Sequence, residues 1–480
     1  NLFFKLFSII LRCVKQSLSQ FGNFMKKRLL QSLNFTLALL AMNVMASCTE
    51  AEMLTTTDSS EVNTATNSIY RSAEEATDIA LNAYADFFGV ESRSSLSISR
   101  IKCIQNVNSR SGESDSLYYV VTFDDDKGCV VVGAKKQSNP VLAVTEKGTL
   151  DPSILSNNPA VEMFNRRASV ISKAATGPLN PIDTLIQPFR KLEQVWDTLE
   201  SVSFPKMVKM ALKQTDPFSK FCGDYYPAGY MGGYVTGCVP VAITQIMSYA
   251  KKTNQVTLTY DGSNRVINLD WPKMIDAGSR NDLPTIIIPG FGGDDPQPTE
   301  MSGTDMIAYL AREIGHRAGC QYSVQFDGIF GVGCTPADVV VALNSMGIVN
   351  YGLSSYYSQR PSEEDGRILI MIGAQKQSEN GVFEGHAFLM DGRRYLKTQL
   401  TEYTYELNVG RWLLVDTKVY PPFESDYFHL NWGWGGDCDG YFWGTLFDPN
   451  NCIEYDYGGI TNDIQPLNYK MQCIPTFPKK

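Results

Sequence analysis

The chain has 480 residues, 43% hydrophobic and 19% charged, which is globular composition with room for two or three domains. Its formal net charge of -9 argues against nucleic acid as a main partner, because backbone binding needs a basic face. Beyond residue 50 no run of about eighteen clean apolar residues occurs, so the body is expected to be soluble.

The stretch "MKKRLLQSLNFTLALLAMNVMASC", Met25 to Cys48, has a basic start, an apolar run and small residues before a cysteine. That is the pattern of a secretory signal, so residues 25–48 are expected to direct export. The small residues before Cys48 resemble the lipobox of bacterial lipoproteins, in which the cysteine becomes the acylated N-terminus. Cys48 is thus the expected lipidation site and the one membrane anchor. The other reading is a plain signal peptide cleaved nearby. Either way the protein is exported, as an outer-membrane or cell-surface lipoprotein or as a secreted form. Residues 1–24 precede this start and read as an over-extended gene start. Residues 49–69 are polar and rich in Thr and Ser, and read as a flexible tether.

"SAEEATDIALNAYADFFG" reads as a helix. Ser72 and Glu75 fit a capping box, Ala73, Ala76, Ala80, Ala83 and Phe87 fall on one face, and Gly89 stands at C′. "LYYVVTF", "CVVVGA" and "PVLAVTEKG" follow as strands, with "DDDKG" turning between the first two. Residues 70–170 therefore read as a small α+β unit without catalytic apparatus, with Cys103 and Cys129 structural. "AATGPLNPIDTLIQPF" then carries prolines and a glycine, so residues 171–204 read as a linker.

In the remainder, residues 205–480, "YVTGCVPVAITQIMSYAKK" places Cys238 at the mouth of a helix. A buried structural thiol fits that position. So does a nucleophile, since the helix dipole favours a thiolate. The three histidines, His316, His386 and His429, leave few partners. No CxxC pair joins them into a structural zinc site, and no metal or organic cofactor is implied. His316, in "LAREIGHRAGC", fits the surface end of a helix. The interval from Cys238 to His386 falls in the range of about 130–150 residues typical of papain-like enzymes. Asn431 could accept from His386 Nδ1–H, with Trp432 covering that bond. Asn431 lies beyond the papain-like interval, and His429, two residues away on the same strand face, is a rival base. Eleven cysteines leave an even number once Cys13, Cys48 and one reactive thiol are set aside. Disulfides are therefore open, and their pairing with them.

"TGCV" with "AITQIM", "EGHAFLMDG" and "HLNWGWGGDCDGYF" together resemble the streptopain family of bacterial cysteine peptidases, in order across residues 205–470. The resemblance implies an α+β, papain-like two-lobed fold made as an inactive zymogen. "LYYVVTFDDDKGCVVVGAKK" is similar to its inhibitory propeptide, which would make residues 70–170 an inhibitor in cis, 171–204 a cleavable linker and 205–480 the catalytic domain. Position by position it implies Cys238 as nucleophile, His386 as general base, and Asn431 and Trp432 as the orienting and shielding pair. Gln214 corresponds to an oxyanion-hole glutamine, although Leu212 stands where the family has tryptophan. Gly385 and Gly333 correspond to substrate contacts. Pro240 departs from the family's small residue but is tolerated in a first helical turn. Residues 279–303 read as an enlarged loop. The expected partners are protein or peptide substrates. The alternatives are an inactive surface lipoprotein that binds peptides or host proteins, and a Cys-His cell-wall amidase.

Overall fold

The computed structural model describes residues 70–90, 95–106, 115–136, 138–154, 159–174, 190–215, 217–219, 221–222, 235–258, 265–280, 301–324, 330–354, 360–377, 383–447 and 472–480. Residues 1–69, with Cys48, the linker core 175–189 and positions 281–300 of the enlarged loop lie outside the described residues.

The N-terminal part begins with helix α1 (Ala73–Phe88). Its capping box is formed: Ser72 Oγ accepts from Glu75 N, and Glu75 reaches back to Ser72 N at 2.7 Å. Such a cap contributes about 1 kcal/mol. Gly89 closes the helix with φ 66°, a left-handed position that favours glycine. Ala76, Ala80, Ala83 and Phe87 are buried as the periodicity requires, whereas Ala73 in the first turn is exposed. Strands β1 (Ile98–Asn106), β2 (Asp115–Phe123), β3 (Cys129–Gly133) and β4 (Val141–Thr145) form an antiparallel meander under it. Helix α2 (Pro159–Ala174) carries this part past residue 170.

The stretch 171–204 is not linker throughout. Arg190–Phe204 is strand β5, paired along strand β12 from Arg190↔Glu406 to Phe204↔Arg393. Then come α3 (Cys238–Ala250), β6 (Gln255–Leu258), β7 (Arg265–Asn268), α4 (Trp271–Ser279), α5 (Gly303–Arg317), β8 (Gln321–Val324), β9 (Phe330–Gly333), α6 (Pro336–Ser345) and β10 (Val349–Asn350). The C-terminal strands are β11 (Ile368–Gln377), β12 (Phe383–Asn408), β13 (Arg411–Val419), β14 (Phe423–Asn431), β15 (Gly440–Trp443) and β16 (Gln472–Phe477), with a 3-10 turn at Gly444–Phe447.

The fold is α+β. One antiparallel sheet runs β1-β2-β3-β4-β15-β14-β12-β11-β16-β10, so the N-terminal meander is continuous with the C-terminal sheet through β4 and β15. Because side chains alternate along a strand, both faces of its centre are buried by different partners. Ile368, Ile370, Ala387 and Leu389 face a core built with α3 to α6. Leu369, Met371, Phe388, Met390 and Trp432 face the other way, into a core shared with Leu117, Tyr118, Val120, Leu142 and Phe164 of the N-terminal part. Among the described residues one disulfide forms, Cys320–Cys334, closing the β8–β9 hairpin; Cys103, Cys129, Cys238, Cys438 and Cys473 are free. No helix among them is long and apolar enough to cross a membrane.

Candidate active site

Cys238 is the first residue of α3. Gly237 caps the helix with φ 91° and, being glycine, offers no side-chain hydrogen bond to the first turn. A Cβ at Gly237 would stand 2.9 Å from Val332, so only glycine fits between hairpin and helix. Pro240 is accommodated in the first turn, as expected. The thiol is half-buried, and burial pushes its pKa up. Hydrogen bonds from the backbone of Ala387, Val239 and Cys238 act against this and are outweighed. The sequence leads to the expectation of a thiolate stabilised by the helix N-terminus and His386; in this arrangement desolvation wins and the thiol is protonated.

His386 is buried near the start of β12, paired with Gly373 of β11. Its ring lies against Phe388, Trp432 and Trp434, with centroids 6.0, 6.3 and 5.7 Å away. Burial lowers its pKa to about 4, and the hydrogen bond with Trp432 only partly offsets this. Thiol and imidazole are therefore both neutral across the middle of the pH range, and no hydrogen bond joins them.

The imidazole's partner differs from the expected one. Nε2 meets the main-chain oxygen of Trp432 at 2.9 Å. A carbonyl only accepts, so Nε2 carries the proton and Nδ1 is the basic nitrogen. Asn431 instead accepts at Oδ1 from Gly433 N at 3.1 Å and from Gln245 Nε2 at 3.2 Å, and donates from Nδ2 to Met210 O at 3.0 Å. Its side chain does not bond to His386. Trp432 is fully buried, packed on Phe388 with centroids 4.4 Å apart, while Trp434 is the tryptophan nearer the imidazole. Gln245 and Trp434 were missed from the sequence: a helix-interior glutamine carries no distinguishing pattern, and "NWGWGG" gives no means of choosing between its tryptophans.

Gln214 is half-buried, and its carbonyl accepts from Thr236 N at 2.7 Å, just ahead of Cys238. The neighbouring Lys213 bridges to Trp434. Gly333 ends β9, exposed and with open space before it, next to the Val332 that touches Gly237. Gly385 precedes His386, opposite a register shift in β11. His316 is exposed in the last turn of α5, as its sequence suggested.

His429 is no base. It is buried, with Nδ1 2.6 Å from Asp391 Oδ1 and Nε2 3.3 Å from Glu146 Oε1. Burial pushes its pKa down, but Asp391 and Glu146 raise it to about 9. It is therefore already protonated at neutral pH. Glu146 belongs to the N-terminal part, so this cluster ties that part to the C-terminal sheet. Among the described residues no group of His, Cys, Asp and Glu could hold a metal ion.

Residues 212–442 match the model of the Peptidase C10 family. Over that segment the chain is a cysteine peptidase similar to the streptopain family. The peptidase is similar to a fragment of Prevotella intermedia prointerpain A, with 17% identity, TM-score 0.42, and coverage of 78% of this chain and 97% of that one. For active wild-type interpain A of the same organism the values are 18% identity, TM-score 0.30, and coverage of 57% and 94%. No curated protein matches the peptidase.

Proposed function

We propose that this cysteine peptidase is an exported endopeptidase, made as a self-inhibited zymogen and tethered through Cys48 or released after processing. Its substrates are proteins or peptides. The observation that carries the reading lies within the family-matched segment. Cys238 stands at a glycine-capped helix N-terminus against Ala387, and the adjacent His386 has Nε2 held by a carbonyl and Nδ1 as its base nitrogen.

In the active arrangement His386 Nδ1 takes the Cys238 proton. The sulfur attacks the peptide carbonyl, and the negative oxygen is held by the Cys238 N–H and the Gln214 side chain. The imidazolium gives its proton to the leaving amine as the C–N bond breaks. Water, deprotonated by His386, then attacks the thioester and releases the thiol and a carboxylic acid. Trp432 supplies the carbonyl that holds the tautomer, and Asn431 acts through the backbone beside it. Gly333, with open space before it, leaves room for substrate main chain, and Gly385 contacts substrate beside His386.

Residues 70–174 serve as the inhibitor. The core they share with Phe388 and Trp432 supports this, because it clamps the residues around His386. The neutral thiol and unformed thiol–imidazole bond fit such a latent state. They also fit a surface protein that binds peptides without cleaving them, and one experiment separates the two. Full-length protein and its Cys238→Ala variant are incubated and analysed by mass spectrometry, then assayed on fluorescent casein. Self-cleavage N-terminal to Arg190, followed by casein hydrolysis and absent from the variant, is the expected result. An uncut, inactive wild type under activating thiol, or a cut inside the paired strand 190–204, contradicts the zymogen reading.

A further inference from the structure

We infer that Gln245 is a positioning residue, tying the helix that carries Cys238 to the peptide group that orients His386. The inference rests on the reading of Cys238 and His386 as nucleophile and base. Gln245 lies on the same face of α3 as Cys238, about two turns further on. It is buried, and both ends of its amide are engaged. Oε1 accepts from Leu212 N at 2.9 Å, and Nε2 donates to Asn431 Oδ1 at 3.2 Å.

The orientation of both amides follows from the backbone. Leu212 N–H is a donor, so Gln245 must turn its oxygen there and its nitrogen toward Asn431. Gly433 N–H is a donor and Met210 C=O an acceptor, so Asn431 must face Oδ1 to the first and Nδ2 to the second. Gln245 then meets an oxygen with a nitrogen, and no group in the chain is mismatched.

The next link is a single plane. The peptide group joining Trp432 and Gly433 donates its N–H to Asn431 at 3.1 Å and accepts His386 Nε2–H on its carbonyl at 2.9 Å. A peptide group is rigid, so fixing its N–H fixes the direction of its carbonyl, and thereby the imidazole. The same bond polarises the carbonyl and makes it a better acceptor. Gly433 permits the turn with φ 74°. Through these links the helix bearing the sulfur and the ring bearing the base share one frame.

The test follows the tautomer of His386 by NMR, in full-length Cys238→Ala protein with isotope-labelled histidine; the sequence has only three histidines. The parent is expected to hold His386 solely as Nε2–H. Gln245→Met leaves Asn431 Oδ1 without its second donor and Leu212 N–H without its acceptor, and a mixture of tautomers is expected. Gln245→Glu keeps an acceptor for Leu212. It has no donor for Asn431 until its carboxyl is protonated, so the single tautomer should return as pH falls, above the pH of about 4 at which His386 itself takes a second proton. With Cys238 intact, Gln245→Met should lower kcat about 10–100-fold while KM changes no more than about twofold. A purely structural role would lower the melting temperature and leave the tautomer unchanged. A folded Gln245→Met protein that keeps the Nε2–H form alone, or keeps kcat within about twofold, overturns the inference. If Gln245→Met does not fold, Gln245→Glu decides, and absence of the acid-dependent return overturns it. A parent without Cys238-dependent hydrolysis removes the functional reading, and the tautomer still decides the positioning role.

Discussion

Replacing Glu146 with Gln should weaken the hold of the N-terminal part on the peptidase, and the loss should depend on pH. Glu146 follows β4, and its backbone N–H donates to Asp439 O at 2.7 Å. Its carboxylate meets His429 and Lys206. Burial alone would raise its pKa, but those two cations bring it from 4.5 to about 2. That difference corresponds to roughly 3 kcal/mol, and the 30% exposure of its side chain discounts it to about 2 kcal/mol. The folded pKa is depressed, so the contribution is present above about pH 4.5 and is lost as pH falls toward 2. Asp439 runs the opposite way. Burial is the main cause of its rise to about 7, so its cost grows as pH climbs from its ordinary 3.8. The wild-type profile alone is therefore not diagnostic, whereas the difference between the two proteins is. Urea unfolding of Cys238→Ala protein, with and without Glu146→Gln, should differ by about 2 kcal/mol at pH 6 and converge near pH 2. A difference that stays constant over that range would show that the lost carboxylate charge is not its cause.

Alkylation of Cys238 in the uncut chain should be slow at pH 6 and rise steeply under alkaline conditions, because burial keeps the thiol protonated; complete modification at pH 6, read by peptide mass spectrometry, would contradict this. His386→Ala should cut hydrolysis by at least about 100-fold. His429→Gln should instead lower stability by about 3–5 kcal/mol, because Asp391 stays buried without its cation, while turnover persists. The wild-type His429 contribution is complete below pH 6.5 and fades as pH rises through about 9. Loss of turnover without loss of stability in His429→Gln would reinstate His429 as the base.

Cys238 and His386, the proposed nucleophile and base, stand out in the sequence because each sits in a short side-chain pattern. What holds the base does not, because the group on Nε2 is a main-chain carbonyl, and main-chain atoms leave no mark in a sequence. Asn431 was expected to accept directly from His386, but its side chain accepts from Gly433 N–H, one step removed. β5 was read as linker because its partner β12 is about two hundred residues away and both of its faces are largely exposed. The helix at 72–89 was legible down to its caps, since capping is local chemistry. The thiol's protonation was misread for the opposite reason: a dipole can be inferred from helix position, whereas desolvation depends on what the whole chain packs around the sulfur.

The core shared by the two parts has a kinetic consequence. A cut between residues 174 and 190 would break one covalent bond and leave the β4–β15 ladder, the Glu146 cluster and the packing of Leu117, Tyr118 and Phe164 on Phe388 and Trp432 untouched. The immediate product would be a nicked complex, still latent. Activity would then lag behind cleavage by the residence time of the severed segment, and further digestion of that segment would set the pace at which the peptidase awakens.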